Sequence, residues 1–221
     1  MPLPAEIRPS QLAGDVRIVS SHAFRSFSEL TSNSPQLYDS VVGLFMDTYN
    51  APPWNEEWND EMAGDYFGKL MQLPSQVTTV QEGSKVIGLF IGCTGSTREV
   101  VPLSVEAYFP EEPKEIVNEI KRRIFVKIEE VGGDQKPAFW GCDFAVPPEK
   151  RGAVIAGKLL REAIKYPIEK GITDMYGMTM IGSPFHTITE RRGSRMLLEV
   201  KDVLPKNPRV FKIMDMRGLL Q

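Results

Sequence analysis

The chain has 221 residues, 42% of them hydrophobic, and a formal net charge of −3. That length and apolar share suit one globular domain with an extension. The basic residues are scattered rather than massed, which argues against a nucleic-acid surface, and no apolar run approaches the ~20 residues of a membrane span.

Met1 to Arg8 lacks the basic-then-apolar pattern of a secretory leader, so the cytoplasm is the expected compartment. Two cysteines, Cys93 and Cys142, and two histidines, His22 and His186, show no metal-ligand spacing, and no metal is expected. Both cysteines lie in apolar, strand-like segments and read as buried free thiols.

Residues 1–34 read as an N-terminal extension in which Asp15 to Val19 alternates as a first strand. From Pro35 the spacing of Leu37, Val41, Leu44, Phe45 and Thr48 predicts a helix that stops before Pro52 and Pro53, and a second helix is predicted over Asn59 to Gln72. Between them lies an aromatic and acidic loop, Tyr49 to Trp58. Gln76 to Gln81 and Lys85 to Gly92, joined at Glu82-Gly83-Ser84, predict a hairpin.

Residues 94–137 then include a predicted helix, Pro113 to Val131. Its stripe of Ile116, Val117, Ile120, Ile124, Ile128 and Val131 must pack on the body. A lid over a cleft, an edge-covering helix and a dimerising helix, hence a homodimer, are all open readings of it.

Phe139 to Val146 is an apolar strand leading through Pro147-Pro148-Glu149-Lys150-Arg151-Gly152 into a helix that starts at Ala153. The free N–H groups opening such a helix and the charges of Lys150 and Arg151 suit a phosphate, the dipole adding roughly 0.3–1 kcal/mol. Gly152 to Lys158 also satisfies seven places of a P-loop, but Leu159 stands where Ser or Thr must hold magnesium. Pro167 is expected to end or kink the helix, Lys170-Gly171 to stop it, and Ile172 to Met180 to return as a parallel strand. Phe185 to Arg192 reads as a last helix, with Met196 to Leu204 and Arg209 to Met216 as closing strands.

The run Val146-Pro147-Pro148-Glu149 and Arg151-Gly152-Ala153-Val154-Ile155-Ala156 resembles the cofactor loop of the GNAT N-acetyltransferase superfamily, with Val154 where the family has its central glycine. A branched side chain there must point away from a phosphate, as a core-facing Val154 would. Asn50-x-x-Pro53-Trp54-x-x-x-Trp58 is similar to a connection in one GNAT subgroup, and Glu190-Arg191-Arg192-Gly193-Ser194 is similar to the ending of the family's last helix.

The resemblance implies an α/β fold: a single domain over residues 35–221, its central mixed, twisted sheet splayed between the middle strands and flanked by helices, with residues 94–137 and their helix as an insertion before the cofactor strand. It further implies acetyl-CoA as cofactor and direct transfer of an acetyl group to a primary amine of a small molecule. A catalytically weak acyl-CoA-binding relative is the alternative.

By the same resemblance, the backbone of Phe144, Ala145 and Val146 would bond the pantetheine arm. Arg151, Gly152, Ala153, Val154, Ile155, Ala156 and Gly157 would cradle the pyrophosphate. Trp54, Glu56 and Trp58, with Glu57, would meet the amine, carboxylates and indole faces both suiting a cation. The alternative for these four is that the tryptophans clamp the loop on the core and the glutamates are solvated.

Asp143 is the nearest carboxylate to the cofactor strand and the expected general base, with Glu106 and Glu56 as alternatives; burial would raise its pKa toward neutrality. Where relatives carry an acidic Tyr on the last helix this chain has Thr189. Ser183, His186 or water would replace it as proton donor, or the leaving thiolate would need none.

Overall fold

The computed structural model describes residues 16–21, 34–70, 72–134, 136–150, 153–204 and 208–219. A sheet of seven strands runs through them: β1 (Val16–Ser21), β2 (Ser75–Glu82), β3 (Lys85–Ser96), β4 (Pro137–Ala145), β5 (Asp174–Met180), β6 (Arg195–Glu199) and β7 (Arg209–Asp215). Their spatial order is β1-β2-β3-β4-β5-β7-β6, all neighbours antiparallel except β4 and β5. The expected first strand is present as β1. Asp15, His22, Arg151 and Gly152 lie outside the described residues.

The helices are α1 (Pro35–Tyr49), α2 (Asp60–Leu70), α3 (Thr97–Tyr108), α4 (Lys114–Glu130), α5 (Ala153–Glu169) and α6 (Pro184–Arg191). α1 begins with Pro35 in its first turn, where the missing N–H is harmless, and ends at Asn50 ahead of two prolines. Its buried stripe of Val41, Leu44, Phe45 and Thr48 follows the helical repeat, and Phe45 seats against Tyr66 and Phe67 of α2.

Two apolar cores result, one on each sheet face. α1 to α4 share the first with Leu89, Ile91, Trp140, Tyr176 and Phe211. α5 forms the second, where Ile155, Leu159, Ala163 and Ile164 meet Val80, Ile87, Phe90, Phe139 and Met175.

Four expectations are corrected. Residues 94–137 hold a second helix besides the expected one: α3 precedes α4 directly after β3. Pro102 inside α3 and its Val and Thr content hide the periodicity, although Ser96 and Glu99 mark its start, the Glu99 carboxylate accepting from the Ser96 backbone N–H at 3.3 Å and from its hydroxyl at 2.8 Å. Of the two effects expected of Pro167, ending or kinking α5, the first does not occur: the helix runs to Glu169 before Gly171, at φ 78°, turns the chain. β3 runs to Ser96 rather than Gly92. The predicted strand Met196 to Leu204 ends at Glu199, because Val200 turns inward to the core.

Candidate active site

β4 and β5 pair in parallel only at Phe139, Trp140 and Gly141, opposite Met175, Tyr176 and Gly177, and then diverge. The register of β4 against β3 slips at the same point: Ile91 faces Asp143 while Gly92 faces Gly141, so Cys142 is an extra residue in a β-bulge. A bulge reverses the in-out alternation beyond it. Trp140 and Asp143, which ordinary alternation would place on opposite faces, therefore both face α1 and α2.

Where the two strands part, residues from both faces of the sheet line a narrow cleft. Phe90 and Phe144 line it from the α5 side, where Phe144 stacks on Phe185 of α6 with ring centroids 4.7 Å apart. From the other side Tyr49, Trp54 and Tyr108 line it, with Asp143 and Cys142 on β4 and Met178, Thr179 and Met180 on β5.

Asp143 is 2% exposed. The Tyr66 hydroxyl donates to its Oδ2, while Oδ1 has no partner. Burial pushes its pKa up to about 7, against the opposing effect of the Tyr66 and Tyr49 hydroxyls, and the nearby Glu56 adds to the rise. Tyr49, Tyr66 and Tyr108 are held well above the ordinary phenol range, in each case chiefly by burial, and so stay neutral. This phenol cluster escapes sequence reasoning, since its members come from three helices far apart in the chain. Cys142 has its thiol pushed up by burial and lies 3.5 Å from the Cys93 sulfur, both thiols being free.

The loop after α1 is clamped by Asn50, whose side chain donates to the Trp58 carbonyl and accepts from the Trp58 N–H, each at 2.8 Å. Trp54 reaches the cleft wall. Trp58 is not among the residues that line it: its ring packs edge-on against Phe45 and Tyr66, and its Nε1 donates to Glu56 at 2.7 Å. Glu56 also accepts from Arg209 of β7, a residue only 2% exposed that lies 5.1 Å from the centre of the Tyr108 ring. Its charge is thus committed to a buried pair, behind the cleft rather than in it. Glu57 is exposed and is not among the residues that line the cleft. Glu106 is on the solvent face of α3, bonded to Lys121 at 2.6 Å.

The hydroxyls of Ser183 and Thr189 at α6 have partners within the protein. Ser183 caps the helix, accepting from the His186 N–H at 3.1 Å, and the Thr189 hydroxyl donates to the Phe185 and His186 carbonyls at 3.0 Å each. His186 sits 3.3 Å from Glu190, and burial and Lys212 hold its pKa below the usual value.

The N-terminus of α5 follows the short turn Pro148–Lys150 at the end of β4. Ile155 and Ala156 are each 4% exposed, Ile155 within the second core, so their backbone N–H groups rather than their side chains are available to a ligand. Nothing stands within 4 Å of where a Cβ on Gly157 would be. Val154 does not face the core: it is 38% exposed. Lys150 is bonded to Glu82 at 2.9 Å, which ties its charge to β2. The first turn of α5 carries no acidic residue, so the open N–H groups and the adjoining splay fit a pyrophosphate and its extended arm.

No family model and no curated protein matches the sequence. Solved structures do. An N-acyl amino acid synthase from uncultured soil microbes superposes with TM-score 0.59 at 13% identity, over 84% of this chain and 94% of the other. Arylalkylamine N-acetyltransferase 2 from Aedes aegypti gives 0.57 at 13% identity, over 91% and 99%. A mutant agmatine N-acetyltransferase gives 0.55 at 13% identity, over 90% and 99%. With the splayed mixed sheet and its flanking helices, these likenesses show that the chain has the GNAT acetyltransferase fold.

Among the described residues no group of three or more His, Cys, Asp or Glu side chains is placed to hold a metal, and no helix is long and apolar enough to cross a membrane.

Proposed function

We propose that this chain is an acetyl-CoA-dependent N-acetyltransferase that transfers the acetyl group to a primary amine of a small molecule by direct attack in a ternary complex. The observation that carries this reading is Asp143: a buried carboxylate with one oxygen held by Tyr66 and the other unpaired, set where β4 and β5 part.

Acetyl-CoA, when bound, supplies the activated thioester. The N–H groups of Ala153 to Ala156 would hold its pyrophosphate, together with Arg151 and Gly152, and the strand Phe144 to Val146 would hold its arm. An amine entering past Tyr49, Trp54 and Tyr108 meets Asp143 Oδ1 in a dry, aromatic setting. With a pKa near 7 the carboxylate is about half ionised at neutrality and takes the proton the nitrogen must lose as its bond to the acyl carbon forms. Such a base contributes typically 10²–10⁴-fold, and fixing the two reactants together adds to it. The relatives named above as N-acetyltransferases act on amines by their own descriptions, which supports an amine acceptor here. The cytoplasm is the compartment we assign.

A second reading, a catalytically weak CoA-binding protein, draws on the exposed Val154 at the phosphate end and on the engaged hydroxyl of Thr189. Titration calorimetry with acetyl-CoA, followed by thiol release over a panel of primary amines, separates them. The enzyme reading expects heat with acetyl-CoA and amine-dependent release of CoA. Heat without turnover favours the second reading, and no heat removes both.

A further inference from the structure

We infer that the acceptor is a monoamine on an aromatic or other apolar body, with no second charge of either sign. This rests on the acyltransferase reading and names the substrate class of the same cleft.

The sheet divides the cleft into two halves. The acyl donor comes from the α5 face, past Phe90 and Phe144. The amine comes from the opposite face, whose wall is Tyr49, Trp54, Tyr108, Met178 and Met180, with Asp143 at its base.

Among the described residues of that wall, Asp143 is the only carboxylate, and no Lys, Arg or His lines it. The aromatic hydroxyls are neutral. Glu56, the other acidic group near Tyr108, is already paired with Arg209, and Arg209 takes up one face of the Tyr108 ring.

The described wall therefore offers one compensating charge, to a single ammonium. A second ammonium would be stripped of water against thioethers and rings without a partner, and a carboxylate would find no cation. A ring or alkyl body, by contrast, replaces water on Trp54, Tyr49 and the two methionines.

The test uses three amines that share a ring and a reacting group: 4-methylbenzylamine, 1,4-bis(aminomethyl)benzene and 4-(aminomethyl)benzoate. With acetyl-CoA saturating at pH 7.5, the neutral-bodied amine is expected to exceed both charged ones in kcat/KM by at least about 10-fold, as the desolvation of an unpaired charge requires. Trp54→Ala is expected to raise KM for 4-methylbenzylamine about 10-fold while the calorimetric Kd of acetyl-CoA, which also reports folding, stays unchanged.

Equal or better turnover of either charged amine overturns this inference and leaves acyl transfer standing. A Trp54→Ala variant with unaltered KM overturns it in the same way, whereas acetyl-CoA binding with turnover of none of the three overturns it and favours the weak CoA-binding reading. Failure to bind acetyl-CoA at all removes the acyltransferase reading and the inference with it.

Discussion

Replacing Asp143 by Asn keeps the shape of the side chain and the bond from Tyr66 while removing the charge. Burial lifts the Asp143 pKa from 3.8 to about 7, so the folded protein binds a proton there that the unfolded chain has already released. The contribution of this one group to stability is then greatest below pH 4 and falls as pH rises from about 4 to 7. Beyond that the ionised carboxylate destabilises the fold by a fixed amount, for which about 1.4 kcal/mol per pH unit sets a ceiling on the order of 4 kcal/mol.

Asp143→Asn is therefore expected to be more stable than the parent at pH 8, by about 1–4 kcal/mol, and nearly equal to it at pH 4. Urea denaturation at the two pH values measures this. The same variant is expected to lose about 10²–10⁴-fold in kcat/KM, together with the rise in the parent's profile near pH 7. A protein destabilised at pH 8 by the substitution, or one that keeps both its rate and that rise, would refute the assignment of Asp143 as a buried base.

Tyr66→Phe removes the hydroxyl that lowers the Asp143 pKa, so the activity rise should move to higher pH, and stability should drop by about 1–3 kcal/mol at pH 8 and by less at pH 5. A pH profile and urea curves at both values check the sign. Arg209→Met leaves Glu56 buried without its partner and is expected to destabilise the fold by about 3–5 kcal/mol. The double variant Arg209→Met, Glu56→Gln should recover part of that loss in the same denaturation assay. Val154→Gly clears an exposed branched side chain from the front of α5 and should tighten CoA binding about 3- to 10-fold by calorimetry, lowering helix stability by about 1 kcal/mol.

Much of the frame was legible along the chain because it rests on short-range rules. Alternation marked β2, a buried apolar run marked β3, the apolar stripe marked α4, and the passage from strand to glycine-flanked turn to helix marked β4 and α5. These signals depend on neighbours within about two helical turns, and such neighbours are adjacent in the sequence. Asp143 could be nominated from its place on that strand. Its partners could not: Tyr66 lies 77 positions away, and Arg209 stands 153 positions from Glu56.

Residue order alone therefore determined the succession of elements and the likeness of the turn before α5 to a phosphate cradle. Only the tertiary structure decided which face of the sheet Asp143 occupies, because the extra residue at Cys142 reverses the alternation that sequence reasoning assumes. Packing likewise decided that Glu56 and Trp58 serve the frame of the cleft, that Trp54 reaches its wall, and that the inserted α3 delivers Tyr108 beside it. The physical reason is common to all of these. A charge or a ring takes its role from what surrounds it once water is gone, and those surroundings are assembled from segments that the linear order keeps apart.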